Sequence, residues 1–256
     1  MAIFTDKKEI EILREGGRRL AEILKKLTEE IKPGQNALEL NQLAEKLIRV
    51  GGDEPSFLNY KSDDASPPFP ASLCVSMNDE VVHGLPLATK IFREGDIVSL
   101  DLGLKHRGFF TDSAITVPVG KISKEAQKLI NVTKEALGIG IAAAHAGGRV
   151  NDIGAAVENF VKKHKLGIVR ELAGHGVGRA VHEDPYVPNF IRKGASEKLI
   201  SGMVIAIEPM LNLGSGEVVF EKDNFTARTA DGSLSAHFEH TILITPAGAE
   251  ILTSSV

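Results

Sequence analysis

Apolar residues recur every three or four positions in four stretches of the chain, which is the spacing of an amphipathic helix. In the first stretch Leu20 and Leu27 share one face, Asp6 can cap the start, and Pro33 follows the end. Ser123 can cap the third stretch in the same way. We therefore predict four helices, over residues 6–31, 38–48, 123–146 and 151–164.

Shorter apolar runs bounded by turn residues predict strands. Two of them flank the polar, glycine-containing segment Lys105–Gly108, which predicts a hairpin. The segment 174–178 is rich in Gly, and we predict a loop there. A Pro-rich run follows at residues 184–188. The predicted strands cover residues 73–77, 97–104, 109–117, 203–207, 217–220, 226–229 and 241–244.

Two short patterns occur twice in the chain. Gly95–Asp101 resembles Gly202–Glu208, and Gly34–Leu40 resembles Gly147–Ile153 at a nearly equal separation. Glycine before an apolar run is common, so chance similarity stays open. We predict an α+β protein in which residues 1–256 form a single domain, with two similar halves at about 6–120 and 121–250 that share a sheet.

Residues 54–70 form a polar segment that carries Phe57, Tyr60 and Phe69. Long loops that carry aromatic side chains inside a compact domain are often functional. A surface loop fixed by a few rings explains the composition equally well.

Composition and charge narrow the possible functions. A net charge of −4 and a pI near 6.1 argue against a nucleic-acid-binding domain. Cys74 is the only cysteine, so no intrachain disulfide can form, which fits a reducing compartment. We find no signal-peptide pattern, and no apolar run reaches the roughly 18–20 residues of a membrane span. We therefore expect a cytoplasmic protein.

Four acidic residues lie inside or beside core-like strands, namely Asp101, Asp112, Glu208 and Glu239. Each alone could be a solvated acid at a strand end. Four buried carboxylates would repel one another strongly unless cations compensate their charge. The pattern therefore favours a metal site, with more than one ion.

Histidines supply the nitrogen ligand that a transition metal prefers. His175 lies between glycines, where its ring is unobstructed, and His182 follows seven residues later. We expect His106, His145 and His164 to be background residues. His237 and His240 flank Glu239, and regular strand alternation would turn them away from it. Cys74 could be a nucleophile, but its apolar strand favours core packing.

Five segments together resemble the methionine aminopeptidases, in the order in which that family carries them. They are Val82–Pro86, Asp101 with Asp112, Gly174–Pro185, Ile207–Met210 and Ser233–Thr241. The resemblance implies the pita-bread fold, an α+β architecture of two pseudo-symmetric halves around a curved antiparallel sheet. The segment between His182 and Glu208 is too short for the inserted subdomain of type II enzymes, and no zinc-finger extension precedes the first helix. The similarity is to the short, bacterial-style type I form.

The resemblance also implies a site with two divalent metal ions. By analogy, Asp112 and Glu239 bridge the ions, Asp101 binds one of them, and His175 with Glu208 completes the other. One nitrogen and a majority of oxygens suit Co, Mn, Fe or Zn without choosing among them.

The resemblance implies an enzyme that removes the N-terminal methionine of nascent polypeptides. In this reaction a metal-activated water attacks the first peptide bond. His182 would donate to the scissile carbonyl, and His83 would contact the amide beyond it. Glu208 would take a proton from the water, which makes it both ligand and base.

The implied methionine pocket is a small apolar cup with a shallow rim, which favours small second residues. It would be lined by Phe69, Cys74, Val181 and Phe225. The chain has no Trp, and Val181 stands where an aromatic residue is common in the family. The further implications are a monomer that acts on nascent chains, with the ribosome as a possible setting, and no DNA or membrane partner.

Three other interpretations stay open at this point. An Xaa-Pro aminopeptidase or dipeptidase would share the fold, but these enzymes usually carry a large extra N-terminal domain. A non-catalytic binding protein of the same fold would tend to lose ligands. A structural α+β protein with solvated acids would take up no metal.

Overall fold

The computed structural model describes residues 1–62 and 66–254, so the middle of the aromatic-bearing segment, residues 63–65, lies outside the described residues. All four predicted helices are present. The side chains of Asp6, Asn36 and Ser123 each accept a backbone N–H bond at a helix start. The helices are α1 (Lys7–Glu30), α2 (Ala37–Val50), α3 (Lys124–Ala143) and α4 (Val150–Lys162).

Short strands connect and follow the helices. In the described residues these are β1 (Glu54–Pro55), β2 (Leu73–Met77), β3 (Glu80–Val82), β4 (Ile97–His106), β5 (Phe109–Pro118), β6 (Gly167–Ile168), β7 (Gly174–Gly176), β8 (Glu183–Val187), β9 (Val204–Ile207), β10 (Met210–Asn212), β11 (Val218–Phe220), β12 (Ala227–Thr229), β13 (Ser235–His237), β14 (His240–Thr245) and β15 (Gly248–Ile251).

Two sheets position the site. The first has the order β1-β4-β2 with β5 paired to β4, and the second has the order β15-β14-β9-β7-β8. Their strand pairs are antiparallel. The backbones of Ala114 and Glu239 exchange two hydrogen bonds, which link β5 to the start of β14. The two sheets are therefore joined across the middle of the molecule.

The predicted hairpin is longer than expected, because β4 continues to His106 and β5 extends to Pro118. Only Arg107 and Gly108 form the turn, and both have positive φ, 47° and 89°. Two residues with positive φ match the right-handed twist of the flanking strands. Side chains alternate along β4, so Leu100, Leu102 and Leu104 join a helix-facing core while Asp101 faces the other side.

Each helix pair covers one side of a sheet. In the first pair, Leu20 and Leu40 are fully buried against β2 and β4. In the second, Leu129 and Val157 pack against Ile205 of β9. Burial of one such side chain stabilises the fold by about 1.5–3 kcal/mol. No described helix combines the length and apolarity that a membrane crossing requires.

One local expectation is corrected by the structure. Residues 174–176 form a strand rather than a loop, because they pair with the Pro-containing residues 183–187 and with β9. His106 is buried, and its Nδ1 lies 2.6 Å from Asp53 Oδ1. His145 is exposed, as expected.

Candidate metal centre

The two aspartates lie on one face of the β4–β5 hairpin. Asp101 pairs with Ala114, and Asp112 pairs with Gly103 across the strands. Residues two apart on a strand share a face, so the two carboxylates are diagonal neighbours. Both residues are buried. The carboxylates therefore converge on one side of the sheet, as the hairpin pattern predicts.

The other predicted ligands come from the second sheet. Glu208 directly follows β9, Glu239 lies in the gap between β13 and β14, and His175 is the central residue of β7. Strands β14, β9 and β7 are neighbours. This order brings together side chains that are far apart in sequence.

All five predicted ligands line one cleft of about 260 Å³. Ligand atoms of Asp112, His175 and Glu239 lie within 4.8 Å of one another. His175 Nε2 also lies 3.6 Å from Glu208 Oε1. The described residues thus place one imidazole and several carboxylates around a small volume.

Burial and mutual repulsion destabilise the charged forms of these carboxyl groups. Burial raises the pKa of Asp101 to about 6. Burial, together with repulsion from Asp101 and Glu208, raises the pKa of Asp112 well above its usual range. The pKa of the Glu239 carboxyl is raised well above its usual range by burial first and by the charge of Asp112 second. A cation would relieve this repulsion.

The hydrogen-bonding pattern fits the same interpretation. One buried oxygen each of Asp101, Asp112 and Glu239 lacks a hydrogen-bond partner among the described residues. Buried acceptors without partners are costly unless something else satisfies them. Carboxylates with one imidazole are a donor set that suits divalent first-row transition metals. The residues present therefore fit a metal centre.

Two neutral histidines line the cleft beside the carboxylates. His83 directly follows β3 with φ of +57°, an uncommon conformation for a residue with a side chain, and burial lowers its pKa. The His182 ring packs edge to face on the His175 ring, with centroids 4.3 Å apart. Desolvation, followed by repulsion from His175 and His83, lowers the pKa of His182 to about 3. Each neutral ring can donate one hydrogen bond.

An apolar cluster lies beside these polar groups. Its buried members are Phe57, Phe69, Ala71, Cys74 and Val181, and Tyr60 and Phe225 pack against it. The structure thus brings together all four predicted pocket residues, although Val181 does not line the cleft itself. Cys74 lies directly opposite Asp101, and burial raises the pKa of its thiol well above the usual range. A protonated thiol suits a packing role rather than a nucleophile.

Sequence reasoning missed the position of His237. Strand β13 ends at His237 and β14 begins at His240, so the alternation around Glu239 is interrupted. As a result, the buried His237 has its Nε2 only 3.3 Å from Glu208 Oε2. His240 instead has its Nδ1 2.9 Å from Thr253 Oγ1. No sequence signal marks the break between the two strands.

Tyr60 is the second residue whose position the sequence does not reveal. The pattern marks it only as one of three aromatic residues in a long loop. In the structure its hydroxyl lies 2.6 Å from His182 Nδ1. A histidine flanked by a loop tyrosine has no recognisable spacing in the sequence, because 122 residues separate the two.

A family model agrees with this geometry. Residues 11–246 match metallopeptidase family M24, and the chain belongs to this family. The methionine aminopeptidase of Clostridium perfringens is 46% identical over 253 residues, which is 99% of both chains. The predicted resemblance to methionine aminopeptidases is thereby confirmed.

Solved structures confirm the predicted pita-bread fold class. A crystal structure of methionine aminopeptidase from Thermotoga maritima superposes with a TM-score of 0.93 at 40% identity, covering 99% of this chain and 100% of that one. An Xaa-Pro dipeptidase from Bacillus anthracis gives a TM-score of 0.75 at 23% identity, and the match covers 99% of this chain but only 62% of that one. The second likeness reflects the fold alone.

Proposed function

We propose that this protein removes the N-terminal methionine from nascent polypeptides by metal-dependent hydrolysis, with a preference for small second residues. The observation that carries the proposal is the cluster of Asp112, His175 and Glu239, whose ligand atoms lie within 4.8 Å of one another beside an apolar cup. Relatives that match over almost their whole length carry the name methionine aminopeptidase.

The proposed cofactor is a pair of divalent ions, drawn from Co, Mn, Fe or Zn. The residues that would hold them are Asp101, Asp112, His175, Glu208 and Glu239. Four carboxylates around one cleft support a pair, because a single divalent ion would leave net negative charge in a buried site. Bound there, such ions supply positive charge to a carbonyl oxygen and acidity to a water molecule.

The remaining roles belong to side chains of this chain. His182 would donate its N–H to the oxygen of the scissile carbonyl as negative charge develops there. His83 would contact the amide beyond the scissile bond. Glu208 would accept the proton from the attacking water and pass it to the departing amine, which balances the proton over the reaction.

The apolar cluster would receive the methionine side chain. Phe69 and Phe225 pack edge to face with centroids 5.3 Å apart, and Cys74 adds a sulfur atom. An unbranched thioether packs well against rings and sulfur. Because Cys74 is directly opposite Asp101, methionine in the cup would have its backbone beside the carboxylates.

We also propose that the enzyme works as a cytoplasmic monomer on chains that emerge from the ribosome. All five proposed ligands come from one chain, so the site is complete without a second copy. The ribosomal setting follows from the proposed substrate, a nascent chain that still carries its first residue. The net charge of −4 supports the absence of a DNA partner.

The first experiment compares EDTA-stripped protein with protein reloaded with Mn or Co, using Met-Ala-Ser as substrate. Methionine release should depend on added metal. Asp112→Ala should lower the activity by about 10³-fold or more, since a metal ligand is removed. Glu135→Ala, which removes an exposed carboxylate of α3, serves as the control and should leave the activity unchanged.

Other outcomes would contradict the proposal. Reloaded protein that binds metal but leaves Met-Ala-Ser intact would refute the substrate. Preferential cleavage of an Ala-Pro peptide would favour the Xaa-Pro interpretation instead. Full activity of Asp112→Ala would refute the assigned metal centre.

A further inference from the structure

Tyr60 contacts His182 through its hydroxyl as well as its ring, whereas a residue that only lines a pocket needs no hydrogen bond to a histidine. The Tyr60 hydroxyl lies 2.6 Å from His182 Nδ1, and the two rings meet edge to face with centroids 5.0 Å apart. The His182 ring also meets the His175 ring edge to face, with centroids 4.3 Å apart. His182 therefore contacts both a tyrosine hydroxyl and a proposed metal ligand.

The direction of this hydrogen bond decides which nitrogen of His182 carries the proton. A phenol is a stronger acid than a neutral imidazole, so the hydroxyl is the better donor of the pair. Burial also raises the pKa of Tyr60, which keeps the hydroxyl protonated. Among the described residues, the hydroxyl makes no second hydrogen bond. Nδ1 is then the acceptor, and the single proton of the neutral ring lies on Nε2.

We propose that Tyr60 is a positioning residue that fixes His182 in the Nε2–H tautomer and orients its ring for donation to the scissile carbonyl. This inference rests on the proposed function, in which His182 is that donor. In this role Tyr60 acts through His182 and not on the reacting atoms. Its effect resembles that of outer partners which fix the tautomer of other functional histidines.

The backbone around Tyr60 links this hydrogen bond to the apolar cluster that would receive the methionine side chain. The Tyr60 N–H donates to the Phe57 carbonyl at 2.9 Å, and the Phe69 N–H donates to the Tyr60 carbonyl at 2.8 Å. Phe57 and Phe69 are both buried members of the apolar cluster. The residues that hold the substrate side chain therefore also hold the tyrosine that orients His182.

The kinetic test replaces Tyr60 by phenylalanine, which removes the hydroxyl and keeps the ring. With metal-loaded enzyme and Met-Ala-Ser, kcat should fall about tenfold while KM changes by less than about threefold, the scale of one lost hydrogen bond. The control is Tyr186→Phe, which alters the other tyrosine of the chain, an exposed residue with Arg192 over its ring. This variant should keep its kcat.

A double-mutant cycle separates positioning from pocket lining. In a His182→Ala background, Tyr60→Phe should cost less than about twofold, because the partner of the hydroxyl is gone. An equal loss in both backgrounds would overturn the proposal, since Tyr60 would then act independently of His182. Unchanged kcat for Tyr60→Phe in the natural background would overturn it as well.

A direct readout comes from the ¹⁵N shifts of the His182 ring in the zinc-loaded protein. The expected pattern is a protonated Nε2 and an unprotonated Nδ1, changing to a mixture of tautomers in Tyr60→Phe. A protonated Nδ1 in the natural protein would overturn the proposal. If no Met peptide is cut at all, the proposed function fails, and these shifts still decide whether Tyr60 sets the tautomer.

Discussion

His237 illustrates at the scale of one residue how the surroundings of a carboxylate are set. It is buried, and neither ring nitrogen has a hydrogen-bond partner among the described residues. Its Nε2 nevertheless lies 3.3 Å from Glu208 Oε2. A polar ring at this distance gives the proposed ligand and base a neighbour that an apolar side chain could not replace.

We predict that His237→Leu weakens metal binding by about tenfold, on the scale of other outer-sphere partners of metal ligands. His237→Gln, which restores a side-chain donor of similar reach, should recover most of the affinity. Titration of the stripped protein with Mn or Zn in a calorimeter measures both values. His145→Leu alters an exposed histidine and should bind as the natural protein does. Equal affinities for all three variants would show that His237 is only a packing residue.

Single residues differ in how well their place in the site can be predicted from the sequence. Asp101 and Glu208 are conspicuous because an acid ends or interrupts an apolar run, and burial of that charge demands a reason. His237 is not conspicuous, since the direction of its side chain depends on the interruption between β13 and β14 at residues 238 and 239. The acidic ligands could be proposed from residue type, whereas the place of His237 beside Glu208 could not.

At the scale of an element, the tip of the β4–β5 hairpin is held by a buried polar cluster. His106 Nδ1 lies 2.6 Å from Asp53 Oδ1, and Arg19 of α1 lies 3.3 Å from Asp53 Oδ2. Asp53 follows α2, so the cluster joins both first helices to the strand that carries Asp101. It anchors the long hairpin whose diagonal pair forms part of the metal centre.

We predict that Asp53→Ala lowers the free energy of unfolding by about 2–4 kcal/mol, because it leaves the buried His106 ring without its partner. The neighbouring Glu54 provides a matched control, since it forms an exposed ion pair with Lys105 at 3.1 Å. Glu54→Ala should change the stability by less than about 1 kcal/mol. Urea unfolding of both variants measures the difference, and similar losses would contradict the assigned role of the cluster.

Elements also differ in how far periodicity predicts them. The helices and the hairpin follow from apolar spacing, because each presents a continuous buried face. Strands β7 and β8 have only glycines or a proline-containing run to mark them, and neither was predicted as a strand. They form strands because β9 offers β7 a pairing edge and β7 in turn pairs with β8. Pairing between distant segments leaves no local periodicity.

The whole molecule brings the ligands of its two sheets together through a few direct links. Thr241 Oγ1 of β14 accepts from the Asp112 N–H at 2.8 Å and donates to the Asp112 carbonyl at 2.7 Å. The Ser113 hydroxyl donates to the Glu239 carbonyl at 2.7 Å. These bonds fix the proposed ligand Asp112 relative to the proposed ligand Glu239.

We predict that Thr241→Val, which is nearly isosteric, destabilises the protein by about 2–3 kcal/mol because two buried backbone groups lose their partner. Metal affinity should fall by about tenfold, since Asp112 is no longer held in a fixed position relative to Glu239. Thr245→Val is the control, because among the described residues the Thr245 hydroxyl bonds within its own hairpin, to the Gly248 carbonyl at 2.8 Å and the Ala247 N–H at 3.2 Å. Thermal unfolding and metal titration measure the two effects. Loss of stability without loss of metal affinity would show that the link serves folding alone.

The sequence by itself determined the helices, the hairpin and the chemical types of the five proposed ligands, because apolar spacing and acids in apolar runs are local properties. It also carried the resemblance that the comparisons confirm. Only the tertiary structure decided the individual contacts that hold those ligands and the proposed catalytic histidines. Contacts such as Tyr60 with His182, His237 with Glu208 and Thr241 with Asp112 join residues far apart in the chain. They arise from sheet pairing and packing, which depend on the whole chain at once.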